Sequence, residues 1–412
     1  MELANKERIK HHFKTFSKFT ATPNEGMTRY SYSPEDVKTR TYIKEKMEQY
    51  GLTVREDGLG NIFGKLEGTI ENAPSVLVGS HFDSVPHGGN FDGPAGVIAG
   101  LEVAALFQEQ QIKPAYPLEV IAMIEEEGSR FGEGLMGSRG MNGLIDEEDF
   151  HTIRDKDGIS VTEAMQQAGL DPTLPKHREQ KTMKAFLELH IEQGPILEEE
   201  NISIGVVDTI VGLTQLEVTV EGKAGHAGTT PMDRRSDALI TASSLVSELP
   251  NLVQDESNGT VITTGKFAVY PNGANVIPQK VVFTIDLRSG EEASIRRVMQ
   301  KAKTLIASHQ KNGIHTSIHQ HLYMQPKELS KEVRSSFKES TEKLGISYIP
   351  MQSGAGHDAM IFSDFTEAGL IFIPSKDGLS HCPEEWSDLE HLAQGVDILF
   401  ETAKKLTEAE IG

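Results

Sequence analysis

Four short apolar runs constrain this chain more than any other feature: "SVLVGS" (75–80), "PLEVIAMI" (117–124), "KAFLELHI" (184–191) and "GLIFIPS" (369–375). Runs of this length, without polar alternation, read as strands buried on both faces, as in parallel sheets. Helical stretches separate the early ones. "SPEDVKTRTYIKEKMEQYG" opens on a Ser-Pro start signal and closes at Gly51. "GPAGVIAGLEVAALFQEQ" fills the space between the first two runs. Strand and helix in alternation predict an α/β sheet covered by helices.

The pattern changes near Gly205. "LTQLEVTVEG" alternates apolar and polar residues, as a half-exposed strand does. A helix over 235–249 follows, then strands "GTVITTGKFAVY" and "KVVFTIDLRS", a helix from Glu291 to about Asn312, and the strand "IHTSIHQHL". The order β-α-β-β-α-β is a split βαβ sandwich, ferredoxin-like, ending near Gln325. With 412 residues the chain exceeds one ordinary core. The expected organisation is a catalytic domain over 1–209, an inserted α+β lid over 210–327, and the rest of the catalytic domain over 328–412.

Chemistry gathers just past the apolar runs. His81 and Asp92 lie in "HFDSVPHGGNFDG", Glu127 in "EEEG", His190 in "LHIEQG" and His381 in "SHCPEEW". In open α/β sheets the carboxyl ends of the strands are where ligands bind. Imidazole with carboxylate suits Zn²⁺ or a similar divalent ion. Five ligands exceed one tetrahedral site and suit two ions sharing Asp92. One would take His81, Asp92 and His190, the other Asp92, Glu127 and His381. Glu126, beside a ligand, is the candidate to take a proton from water. Asp83 is placed to orient the His81 ring.

The formal net charge of −21 argues against nucleic acid and anionic membranes as partners. No apolar window has the length of a membrane helix. One cysteine, Cys382, precludes an intrachain disulfide, and the charged "MELANKERIKHHF" lacks a secretory apolar region. A cytoplasmic setting is expected.

Together "GSHFDSV", "EEEGSRF", "ELHIEQGPILE", "GKAGHAGTTPM", "NVIP", "DLR" and "SGAGHDA" resemble the amidase/hydantoinase/carbamoylase family of the di-zinc aminoacylase/carboxypeptidase superfamily. The resemblance runs over nearly the whole chain. It implies a di-metal peptidase-like domain, a lid that forms a homodimer, and hydrolysis of a carbamoyl C–N bond in a small ureido carboxylate. It implies His81, Asp92, Glu127, His190 and His381 as ligands and Glu126 as general base. Aligning "EEEG" on its Gly with wider relatives shifts those roles to Glu125 and Glu126; closer relatives keep Glu126 and Glu127. It also implies His226 as an oxyanion donor reaching the partner subunit, and Gln193, Asn275, Arg288 and Gly356 as substrate contacts. An isolated Arg at a strand end reads first as a surface ion pair. His357 and Asp358 stay structural, and Cys382 is a small packing residue. "EEEGSRF" and "GHAGTTPM" resemble allantoate amidohydrolases, while "DGPAGV" and "HCPEEWS" resemble N-carbamoyl-L-amino acid hydrolases. Allantoate is the favoured substrate. Alternatives are an N-carbamoyl-L-amino acid hydrolase or ureidopropionase, then an N-acyl amino acid hydrolase or peptidase, then a non-catalytic binding protein. The ligands leave Zn²⁺ and Mn²⁺ equally open.

Overall fold

A computed structural model describes residues 3–256 and 259–409. The chain forms two compact units. One runs to Asp208 and resumes over Glu328–Met351 and from His357; the other holds Thr209–Lys327 and Gln352–Gly356. The last segment was expected to lie in the first unit.

The first unit is built on a nine-stranded sheet. Its centre is parallel. Leu118–Met123, Ser75–His81, Met183–Ile191 and Glu367–Ile373 lie side by side in that order. Ser75–His81 and Leu118–Met123 are buried along their whole length. Antiparallel strands Thr53–Glu56 and Ile62–Leu66 extend one side. The helix Pro94–Glu109 is buried from Pro94 through Phe107. It packs on the sheet and under the helices Lys6–Phe16 and Leu389–Thr407, which explains its apolar circumference. Its one buried acid, Glu102, is neutralised by the Arg8 fork, with Nε 2.6 Å from Oε2 and Nη2 2.8 Å from Oε1. The helix Pro34–Gln49 starts as its sequence signals: Ser33 Oγ accepts from the Asp36 N–H.

The second unit is an antiparallel sheet carrying the helices Ala238–Glu248 and Glu292–Ser308. Lys280–Ser289 and Gly212–Glu221 pair along their full length and alternate buried and open positions. The buried set, including Leu216, Val218, Phe283 and Ile285, meets Ala242, Leu245 and Ile306 from the helices. The two helices are shorter than expected. The stretch expected to form one strand over 259–270 is two, Val261–Thr263 and Phe267–Tyr270, both paired to Lys280–Ser289. The break sits at Thr284, whose hydroxyl accepts the Lys266 N–H at 3.1 Å in place of a ladder carbonyl. Among the described residues no helix is long and apolar enough to cross a membrane.

Candidate metal centre

The parallel strands deliver their ends to one place. His81 is the last residue of its strand, and His190 is the last but one of Met183–Ile191. Glu125–Glu127 follow Leu118–Met123, and His381 lies beyond Glu367–Ile373. Asp92 comes from the loop before Pro94–Glu109. That loop needs Gly93, which has φ +78° and stands so close to His81 that a Cβ would lie 2.3 Å from the ring Cε1.

Three overlapping groups of ligand atoms result, each within 4.8 Å: His81–Asp92–His190, Asp92–Glu127–His381 and His81–Glu126–Glu127. Asp92 Oδ1 is 3.2 Å from His190 Nε2 and 3.4 Å from His81 Nε2. Asp92 Oδ2 is 3.1 Å from His381 Nε2, which is 3.6 Å from Glu127 Oε1. The "EEEG" ambiguity has a geometric side. Glu125, at φ +53°, turns its carboxyl to the Arg130 and Phe131 N–H groups and joins none of the three groups. Glu126 lies 3.7 Å from His81 Nε2, and only Glu127 faces His381.

Asp83 does more than orient a ring. It stands 3.3 Å from His81 Nδ1 and also accepts the Glu126 N–H at 3.1 Å and the Glu127 N–H at 3.2 Å, one per oxygen. One carboxylate thus fixes His81 and both glutamates.

The charges are strongly perturbed. Burial, with Glu127, Asp358 and Asp83 nearby, holds Glu126 well above the usual carboxyl range against the pull of His81. Burial and the Asp92 charge push Glu127 up to about 8. Burial also opposes ionisation of Asp92, but hydrogen bonds from His190, His381 and His81 hold it well below the usual range. His381 rises to about 9, chiefly through its hydrogen bond to Asp92. The raised values of Glu126, Glu127 and His381 share one sense: these groups favour added positive charge, while Asp92 stays ionised among its imidazoles. His81 Nε2 and Glu127 Oε1 are buried without a hydrogen-bond partner, which is how ligand atoms are left when their partner is a cation. Imidazole and carboxylate in this mixture fit a pair of divalent ions.

The remaining expected residues divide between the units. Gln193, at φ +57°, donates its amide to Asp92 Oδ2 at 2.6 Å and so joins the cluster itself. His357 is buried 4.4 Å, centroid to centroid, from the His190 ring, and burial holds its pKa well below the usual value. His226, Asn275, Arg288 and Gly356 belong to the second unit. His226 pairs with Val276 in a two-residue ladder beside Asn275, whose carbonyl accepts the Ala227 N–H. Both side chains are exposed. Arg288 forks onto Asp286, with Nε 2.8 Å from Oδ1, and donates Nη1 to the Gly354 carbonyl at 2.8 Å. Sequence reading missed Glu385 and Ser380, which touch the cluster's loops. The second acid in "HCPEEW", four residues past a ligand, was the available signal.

A profile of the peptidase family M20/M25/M40 matches residues 77–405. The N-carbamoyl-L-amino-acid amidohydrolase of Paenarthrobacter aurescens is 40% identical over 409 residues, covering 98% of this chain and 99% of its own. The allantoate amidohydrolase of Escherichia coli is 38% identical over 397 residues, 96% of each. A crystal structure of an amidase of the hydantoinase/carbamoylase family from Burkholderia multivorans matches with TM-score 0.94 at 33% identity, covering 99% of both chains.

Proposed function

The chain belongs to peptidase family M20/M25/M40 and is a hydrolase of carbamoyl or amide bonds, and from that premise we propose that it hydrolyses a ureido C–N bond of allantoate, releasing ammonia, CO2 and ureidoglycine. The observation that carries the hydrolytic reading is the set of three overlapping ligand groups joined through Asp92, His81 and Glu127. The choice of allantoate rests on "EEEGSRF" and "GHAGTTPM". The second reading, an N-carbamoyl-L-amino acid, rests on "DGPAGV" and "HCPEEWS".

His81, Asp92 and His190 would hold one divalent ion, Zn²⁺ or Mn²⁺, and Asp92, Glu127 and His381 the other. Such ions, when bound, polarise a carbonyl and make water acidic. Glu126 takes the proton of the attacking water and passes it to the leaving nitrogen. The carbamic acid set free falls apart to ammonia and CO2. Arg288 takes the substrate carboxylate through a guanidinium fork, with Gln193, Asn275 and the Gly356 backbone as further contacts. His226 donates to the developing oxyanion in the partner subunit of a homodimer formed by the second unit. A cytoplasmic setting accords with the single Cys382.

The test is ammonia release by the metal-reconstituted protein on allantoate, N-carbamoyl-L-amino acids and N-carbamoyl-β-alanine, side by side. Higher kcat/KM on an N-carbamoyl-L-amino acid than on allantoate moves the assignment to the second reading. No metal-dependent turnover on any of them removes the ureido reading.

A further inference from the structure

Glu385 is 3% exposed, and its carboxyl points at two loops. Oε1 accepts the N–H groups of Phe91 at 2.9 Å and Asp92 at 3.1 Å. Oε2 accepts the Ser380 hydroxyl at 3.0 Å and the His381 N–H at 3.4 Å. Two of these four donors are the backbone N–H groups of proposed ligands far apart in the chain, Asp92 and His381. Ser380 has one proton to give and also stands 3.0 Å from Asp92 Oδ2. Space has been cleared for the carboxyl: a Cβ on Gly89 would lie 2.1 Å from both Glu385 Cδ and Oε1.

The five ligands differ in how they are held. His81 and His190 are fixed by buried strands, and Asp83 fixes the backbone of Glu127. His381 sits in a loop at φ +57° with its side chain 49% exposed. A non-glycine residue in the left-handed region persists only where its surroundings over-determine it.

We propose that Glu385 is a positioning residue that clamps the Asp92 and His381 loops into one geometry and thereby sets the affinity of the Asp92–Glu127–His381 site. The proposal rests on the reading that this group holds a divalent ion. Amide in place of carboxylate probes it directly. Whichever way the amide of the Glu385→Gln variant turns, its NH2 group faces two N–H or O–H donors that the carboxylate accepted.

The experiment is a Zn²⁺ titration of the metal-stripped full chain by equilibrium dialysis, beside a urea unfolding curve. Wild type is expected to bind two ions. Glu385→Gln should bind the ion of the Asp92–Glu127–His381 group about 10–100-fold more weakly, the range for residues that orient ligands, and the other ion with a clearly smaller loss, because Asp92 serves both groups and His381 only the one. Gly89→Ala, pressing on the same carboxyl from its other side, should show the same split. Should Glu385→Gln fail to fold, Ser380→Ala removes one donor and reads the same selective loss on a smaller scale. Wild-type binding of both ions by the variants overturns the proposal. Equal weakening of both ions together with a lowered midpoint also overturns it, by making Glu385 a fold residue. A wild-type chain that binds no ion instead overturns the metal reading, and that failure is distinct because it precedes any substitution.

Discussion

Asp83→Asn is the sharpest single test of how the centre is organised. The carboxylate is 1% exposed and uses both oxygens, one for the Glu126 N–H and one for the Glu127 N–H, while standing 3.3 Å from His81 Nδ1. Asparagine keeps one acceptor and sets an NH2 group against a backbone N–H. A hydrogen bond to a charged acceptor is worth about 1.5–3 kcal/mol, and a buried donor left unpaired costs about 1–3 kcal/mol. One such bond is lost, so about 2 kcal/mol is the expected cost, or about 30-fold at 25 °C. That value falls inside the roughly 10–100-fold range for partners that orient metal ligands. The cost should appear in Zn²⁺ affinity and in kcat/KM for ammonia release, because the bonds displaced are those of the proposed base and a proposed ligand. Asp83→Ala, which removes both acceptors, should cost about twice as much. Equilibrium dialysis and turnover on the same preparations decide it. An Asn variant with wild-type affinity and turnover refutes the reasoning. A lowered urea midpoint with affinity intact places the weight of Asp83 in the fold.

Glu126→Gln should keep bound metal and lose turnover by about 10²–10⁴-fold; near-normal ammonia release would move the proton carrier elsewhere. Arg288→Lys should lower kcat/KM on carboxylate substrates by about 2 kcal/mol, the low end for a desolvated charge pair, because Asp286 already takes part of the fork. An equal loss on a neutral ester analogue makes Arg288 structural. Mixed dimers of Glu126→Gln and His226→Ala chains should regain activity in part, and verified hybrids with none count against a shared site. His12 lies between the Tyr42 and Tyr50 hydroxyls at 2.8 and 3.1 Å, and burial lowers its pKa to about 3. The unfolded chain, with an ordinary value near 6.5, takes up a proton that the fold refuses, so this stability is full above about pH 6.5 and declines as pH falls towards 3. Urea midpoints at pH 7.5 and 5 should differ more for wild type than for His12→Asn, and equal differences remove the assignment.

The buried strands and the residues at their ends were legible because the sequence states them locally. A run such as "SVLVGS" has no other comfortable place than a sheet interior, and His81 follows it directly. What was not legible depends on meetings between distant segments. Nothing near Glu385 announces that its oxygens will receive N–H groups from residues 91 and 92. Gln352–Gly356 joins the second unit through contacts such as the Val211 N–H on the Ser353 carbonyl, which no local pattern records. At the split of 259–270 the Lys266 N–H meets the Thr284 hydroxyl of a neighbouring strand, and the register steps by one residue. Glu126 and Glu127 are equivalent as letters. Geometry separates them, since only one faces His381.

The parallel sheet also sets an order of events during synthesis. Met183–Ile191 emerges early, yet the strand that pairs with its open side, Glu367–Ile373, comes only after the whole inserted unit. That unit has its own core and antiparallel neighbours. Pairing over such separations is slow, and a waiting strand edge invites wrong partners. The nascent chain must therefore carry an unfinished sheet while the inserted unit completes itself. His381 and Glu385 arrive only after that last central strand. A chain released before that point lacks both the proposed ligand and its proposed clamp, so assembly of the Asp92–Glu127–His381 group waits until translation has passed the last central strand.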